Sequence, residues 1–124
     1  MHELAIAQGI IGGACEHAEG RRIHRVTVAV GVLCAVVPDA LQFCFDLAAE
    51  GTLAEGAELI IEEIPARGHC HACGREFTLH APIPLCDCGS ADVDISAGRD
   101  LRIRSMEVSD PCALPADAAA TAQP

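Results

Sequence analysis

Tryptophan and tyrosine are absent from the 124 residues, and phenylalanine occurs only three times. A surface that stacks nucleobases on aromatic rings is therefore not available. The core must be built from Val, Ile, Leu and Ala, which is feasible because 51% of the residues are hydrophobic. Positive charge is scarce too: eight Lys plus Arg stand against eighteen Asp plus Glu, a net charge of −10. Nucleic acids and anionic membrane surfaces are bound largely by cationic neutralisation, so neither is an expected partner. A bound cation or a basic protein partner is compatible with this balance. No apolar run is long enough to span a bilayer. The stretch 26–37 is broken by Thr27 and Gly31 and falls short of the ~20 residues required. Residues 1–15 lack a basic n-region and no cleavage site follows, so no signal peptide is expected and the compartment should be cytoplasmic. Enzyme motifs are missing as well. There is no glycine-rich phosphate loop, no Ser/His/Asp arrangement and no His-Glu-x2-His. Glu62 and Glu63 read as a solvated strand end.

What is present begins with helical spacing. Leu4, Ala7, Ile11 and Ala14, with Ile10 beside them, predict a helix from residue 4 to about 19, stopped at Gly20. Gly9, Gly12 and Gly13 work against it, since an interior glycine costs up to ~1 kcal/mol relative to alanine. They would let another element approach closely. Val26, Val28, Val30 and Val32 alternate with Thr27, Ala29, Gly31 and Leu33. This predicts a strand over 23–34, apolar on both faces and therefore central. Pro38 opens a second helix, with Leu41, Cys44, Phe45 and Ala48 on its apolar stripe and Gly51 just past its end. Strands are expected over 57–64 and 101–108. Pairing those two directly would set Arg102 and Arg104 against Glu58 and Glu62. Met106 and Val108 are out of phase with Leu101 and Ile103, which predicts a bulge near Ser105. The chain from Cys112 onward is rich in Ala and Pro, and residues 111–124 read as a disordered tail.

Residues 65–100 have weak apolar periodicity and instead concentrate cysteine, histidine and proline. Eight cysteines in a reducing compartment read as metal ligands and buried thiols rather than disulfides. Cys70-x2-Cys73, then twelve residues, then Cys86-x-Cys88 would converge four thiolates on one tetrahedral zinc ion. Gly74 and Gly89 follow the pairs and permit tight knuckle turns. The span between the pairs suits a two-stranded hairpin carrying Phe77 and Leu79. Cys86-x-Cys88 is one residue shorter than a usual knuckle pair. Either its turn is tighter, or a histidine (His71, His80 or His69) replaces a thiolate. A set of four thiolates leaves no open position for water, so the site reads as structural. Cys15, Cys34 and Cys44 fall on apolar faces and read as small core residues. His17 and His24 read as surface histidines.

The remaining concentration of donors is the chain start, Met1-His2-Glu3. A bulky second residue protects Met1 from removal, leaving a free α-amine, backbone amide nitrogens, the imidazole of His2 and the carboxylate of Glu3. Nitrogen-rich tetragonal sites suit nickel(II) and copper(II). A fraying terminus that happens to carry a histidine is the competing reading.

Taken in order, several motifs resemble the HypA/HybF family of hydrogenase-maturation nickel chaperones. They are Met1-His2-Glu3-Leu4, Gly31-Val32-Leu33, Val37-Pro38-Asp39-Ala40-Leu41, Gly51-Thr52-Leu53-Ala54-Glu55-Gly56-Ala57, Cys88-Gly89-Ser90 and Gly98-Arg99-Asp100-Leu101. The resemblance covers residues 1 to about 110. It implies a small α/β (α+β) fold of two helices and a three-stranded sheet, with a zinc-ribbon-like domain inserted before the last strand. The implied boundaries are 1–66 with 100–110 for the nickel domain and 67–99 for the zinc domain. It implies nickel held by the Met1 amine, nearby amide nitrogens and His2, with Glu3 supporting transfer. It implies structural zinc on Cys70, Cys73, Cys86 and Cys88, although the family usually has Cys-x2-Cys in the second pair. The implied partners are the GTPase HypB and the large subunit of [NiFe] hydrogenase. The implied activity is nickel delivery rather than catalysis. A zinc-ribbon adaptor without nickel transfer is the alternative, opposed by the charge and the lack of aromatics.

Overall fold

Valine alternation places the sheet's central strand. In the computed structural model, which describes residues 2–109, β1 (Ile23–Gly31) lies between β2 (Glu58–Ile64) and β6 (Leu101–Val108). It runs parallel to β2 and antiparallel to β6. Val26, Val28 and Val30 point to one face, where α1 (Glu3–Ala18) and α2 (Pro38–Ala49) pack. Ala7, Ile10, Ile11, Ala14 and Ala18 form the buried stripe of α1, at spacings of three and four residues. From α2 come Leu41, Phe45 and Ala49, all but inaccessible to solvent. Burying side chains of this size contributes about 1.5–3 kcal/mol each for Leu, Ile, Val or Phe. Cys15, Cys34 and Cys44 pack half-buried against this core, as their apolar positions predict. His17 and His24 are exposed. The chain leaves α1 through Glu19 and Gly20, both left-handed at φ 53° and 83°.

Three expectations need correction. The first strand does not continue to residue 34. It ends at Gly31, and Val32–Cys34 form a 3-10 turn, because the N–H groups of Gly31 and Leu33 turn to the carbonyls of Asp100 and Gly98. β2 and β6 do not pair with each other; β1 separates them. The expected arginine–glutamate chemistry is nonetheless present on the sheet's open face, routed through or across the middle strand. Arg25 of β1 donates to Glu58 at 2.9 Å and Glu107 at 2.6 Å, and Arg104 reaches Glu62 at 2.5 Å. The register of β6 slips at Arg104, between the Thr27–Ser105 and Val28–Ile103 pairs, so the bulge falls beside Ser105.

The third correction lies in the segment between β2 and β6. It forms a second antiparallel sheet of β3 (Ala66–Cys70), β4 (Glu76–Leu79) and β5 (Val93–Ala97), in the order β4-β3-β5. The hairpin is β3–β4, closed by the first cysteine pair; it does not lie between the two pairs. Phe77 packs over Gly68, where an added Cβ would sit 2.6 Å from the ring. The second sheet joins the first by a close backbone approach. A Cβ on Gly31 would lie 2.2 Å from the Gly98 carbonyl oxygen. Cys112 and the 111–124 segment lie outside the described residues.

Candidate metal centres

Donor atoms concentrate at two places in the chain. The first is the cysteine cluster. Cys70 ends β3, and its carbonyl accepts the Gly74 N–H at 2.8 Å while its N–H donates to Arg75 at 2.8 Å. Gly74 takes φ 75°, which the turn requires. The second pair repeats this closure one residue shorter. The Gly89 N–H donates to the Cys86 carbonyl at 2.9 Å, and the Cys86 N–H donates to Ser90 at 3.0 Å. Gly89 is at φ 93°. The Cys-x-Cys spacing is thus absorbed by a tighter turn.

The two knuckles bring the sulfurs of Cys70, Cys73, Cys86 and Cys88 within 4.8 Å of one another. Cys70 and Cys88 are 3.7 Å apart, and Cys73 and Cys86 are 3.6 Å apart. Disulfide sulfurs would be at about 2.05 Å. Four thiolates on tetrahedral zinc at ~2.3 Å would stand about 3.8 Å apart, so the donor set fits that ion. The electrostatics point the same way. Backbone N–H groups of Cys73 and Ala72 draw the Cys70 thiol down to about 6. The Ser90 N–H also favours a Cys88 thiolate, but the neighbouring sulfurs of Cys86 and Cys70 outweigh it and push Cys88 up to about 11. Four thiolates this close repel one another, and a divalent cation removes that penalty. None of the three candidate histidines joins the cluster, and His69 is exposed. His71 is turned to Asp94, with Nε2 2.8 Å from Oδ2, and its imidazole is raised above its ordinary value by that carboxylate. His80 is exposed. Asp94 carries no sequence signal for this contact, because a strand pairing twenty-odd residues away creates it.

The second concentration is the chain start. Met1 lies outside the described residues. His2 is exposed and occupies the N-cap position of α1, where its carbonyl accepts the Ile6 N–H at 3.1 Å but its imidazole makes no capping bond. The ring is left free for another role. Glu3 opens the helix and accepts the Val37 N–H at 3.2 Å. Val37 is the N-cap of α2, so the amino ends of both helices meet here. The Val37 N–H, followed by Glu3's own backbone N–H, holds the Glu3 carboxyl below its ordinary value. Asp39 is a second acid in the first turn of α2. The Glu3–Val37 contact spans 34 residues and could not be read from sequence. No helix among the described residues is long and apolar enough to cross a membrane.

Residues 1–108 match the family model described as "Hydrogenase/urease nickel incorporation, metallochaperone, hypA". The hydrogenase maturation factor HypA of Nostoc punctiforme is 44% identical over 112 residues, 90% of this chain and 99% of that protein. The factor of the same name from Geobacter metallireducens is 41% identical over 109 residues, 87% of this chain and 99% of that one. The solution structure of the Ni metallochaperone HypA from Helicobacter pylori superposes with a TM-score of 0.61 at 27% identity, covering 87% of this chain and 97% of that chain. A match across both sheets and both donor clusters is not a fold likeness alone: this chain belongs to the HypA family of hydrogenase/urease nickel-incorporation metallochaperones.

Proposed function

We propose that the chain binds nickel(II) at its amino end and releases it during maturation of a [NiFe] hydrogenase. The observation that carries this reading is the free imidazole of His2 at the start of α1, anchored by the neighbouring Glu3–Val37 bond. The Met1 amine, nearby amide nitrogens and His2 supply a nitrogen-rich donor set suited to nickel. Glu3 contributes a backbone nitrogen or a supporting carboxylate. The surroundings favour transfer over storage. Two helix amino ends carry partial positive charge toward this point and oppose a bound cation. Glu3 and Asp39 offset that opposition only in part. Protonation of the imidazole, or a competing ligand set on a partner, then suffices for release.

In this reading residues 1–66 with 100–110 handle nickel, and residues 67–99 form a separate metal-held insert. Cys70, Cys73, Cys86 and Cys88 hold zinc(II), which when bound supplies charge neutralisation and crosslinking and no chemistry on the cargo. The recipients are the GTPase HypB and the hydrogenase large subunit, in the cytoplasm. Calorimetry of Ni²⁺ binding to the native chain and to His2→Ala tests the site. Loss of most of the affinity in the variant is expected; equal affinity would sink the assignment. Residues added before Met1 convert its amine to an amide, and should weaken binding in the same way.

A further inference from the structure

The glycines of α1 remain only partly explained by the fold. Gly13 faces Ile103, whose Cδ1 would be 3.6 Å from an added Cβ. Gly9 and Gly12 face nothing within 4 Å, although each weakens the helix. The space beside Gly9 is a groove of about 440 Å³ between α1 and β6, lined by Gly9, Ile10, Leu101 and Ile103 with Arg99 and Arg102 at its rim. A second hollow of about 250 Å³ adjoins it across Ile103, between Gly13 and Met106. Both open beside the outer edge of β6. In the order β2-β1-β6 that edge has no strand partner among the described residues.

We propose that this edge docks an extended segment of a partner protein, one that alternates aliphatic and acidic residues. The pattern follows from β6 itself. Leu101 and Ile103 point to the helix side, while Arg102 and Arg104 point to the open face. An added strand shares that alternation. Its helix-side residues enter the two hollows, which need aliphatic side chains. Its other residues stand beside Arg102. Arg104 is occupied by Glu62, but neither Arg99 nor Arg102 takes part in any ion pair among the described residues. Two free guanidinium groups beside one apolar groove, in a chain of net charge −10, are complemented by carboxylates. The main chain of β6 supplies affinity and the hollows supply selection, as in strand addition generally. The docking surface does not depend on what metal the amino end carries.

The test uses the full zinc-loaded chain and a capped, fluorescent peptide of about ten residues alternating Val and Glu, with a Val/Lys peptide as control. The Val/Glu peptide should bind and protect those β6 amides that do not bond to β1 from hydrogen exchange. Gly9→Leu fills the groove with a better helix former. It should leave the melting temperature unchanged or higher while weakening the peptide about tenfold or more. Arg99→Glu with Arg102→Glu, both at the rim, should also weaken it about tenfold without altering the fold. Equal binding of the two peptides, or full binding by Gly9→Leu, would overturn the proposal. So would no protection of β6. Protection that arises without peptide as the protein concentration rises would assign the edge to a second copy instead, and overturn it too.

Discussion

Glu3 ties the two helices together at their amino ends, and it does so as an anion. Its folded-state carboxyl is held below the ordinary range by the Val37 N–H and its own backbone N–H. A depressed carboxyl stabilises the fold at pH above its unfolded value, and that contribution is lost as pH falls through the folded value. Glu3→Gln keeps an acceptor oxygen and removes the charge. The Val37 amide is then expected to exchange faster in native-state hydrogen exchange, and the acid limb of the stability profile to flatten. An unchanged Val37 amide would mean the contact contributes nothing. Gly31 is decisive for a different reason. Its φ of −65° suits any residue, but a Cβ there would lie 2.2 Å from the Gly98 oxygen and 2.8 Å from the Arg99 nitrogen. Neither atom is the end of a flexible side chain. Gly31→Ala is expected to destabilise by about 1–3 kcal/mol in urea unfolding, the range for overpacking.

At the scale of elements, the two sheets are held by different forces. The α1/α2 layer on β1 buries a continuous aliphatic core. In the β3–β5 sheet the buried residues are few: Ala66, Gly68, Cys70, Cys86 and Gly98. That is too little apolar area to offset the ordering of its backbone, so the sulfur cluster must supply the balance. Chelation of the metal under reducing conditions is expected to collapse amide protection across β3–β5 while the β1 amides stay protected. Simultaneous loss in both sheets would show one cooperative unit. This division also explains what could be read in the sequence. Alternating valines make β1 legible, and the α2 stripe through Leu41 and Phe45 makes that helix legible, because burial imposes a period. The Cys70–Cys88 cluster was legible from spacing alone. The order of the strands was not. Glu58 and Arg102 advertise opposite charges but not the strand between them, and Arg25, the residue that bridges Glu58 to Glu107, sits in a segment whose apolar pattern gives no hint of that role. Where burial sets no period, as in 71–92, the local turns were visible and the strand pairing was not.

Across the whole molecule, one short segment runs from the base of the cysteine-bearing sheet to the chain start. Residues 32–37 leave β1 and enter α2. At their start, the Leu33 N–H donates to the Gly98 carbonyl at 2.8 Å, and the Cys34 thiol donates to the Arg99 carbonyl at 3.3 Å. Gly98 and Arg99 form the return from β5 to β6, so this end is held by the root of the cysteine-bearing sheet. At its far end, the Val37 N–H donates to Glu3, next to His2. Ala35 between them is left-handed at φ 55°, an uncommon conformation for alanine that persists only while both ends are fixed. Loosening the insert should therefore be felt at the amino end through this segment rather than through the core. Stripping the metal from the insert is expected to speed exchange at Val37, and to change the nickel affinity of the chain start. Amides deep in α2, near Phe45, should not respond, because the aliphatic layer holds them independently. Faster exchange at Val37 with unchanged exchange near Phe45 would establish the segment as the mechanical link between the two centres. Unchanged exchange at Val37 would show that the cysteine cluster and the chain start behave independently on the same small fold.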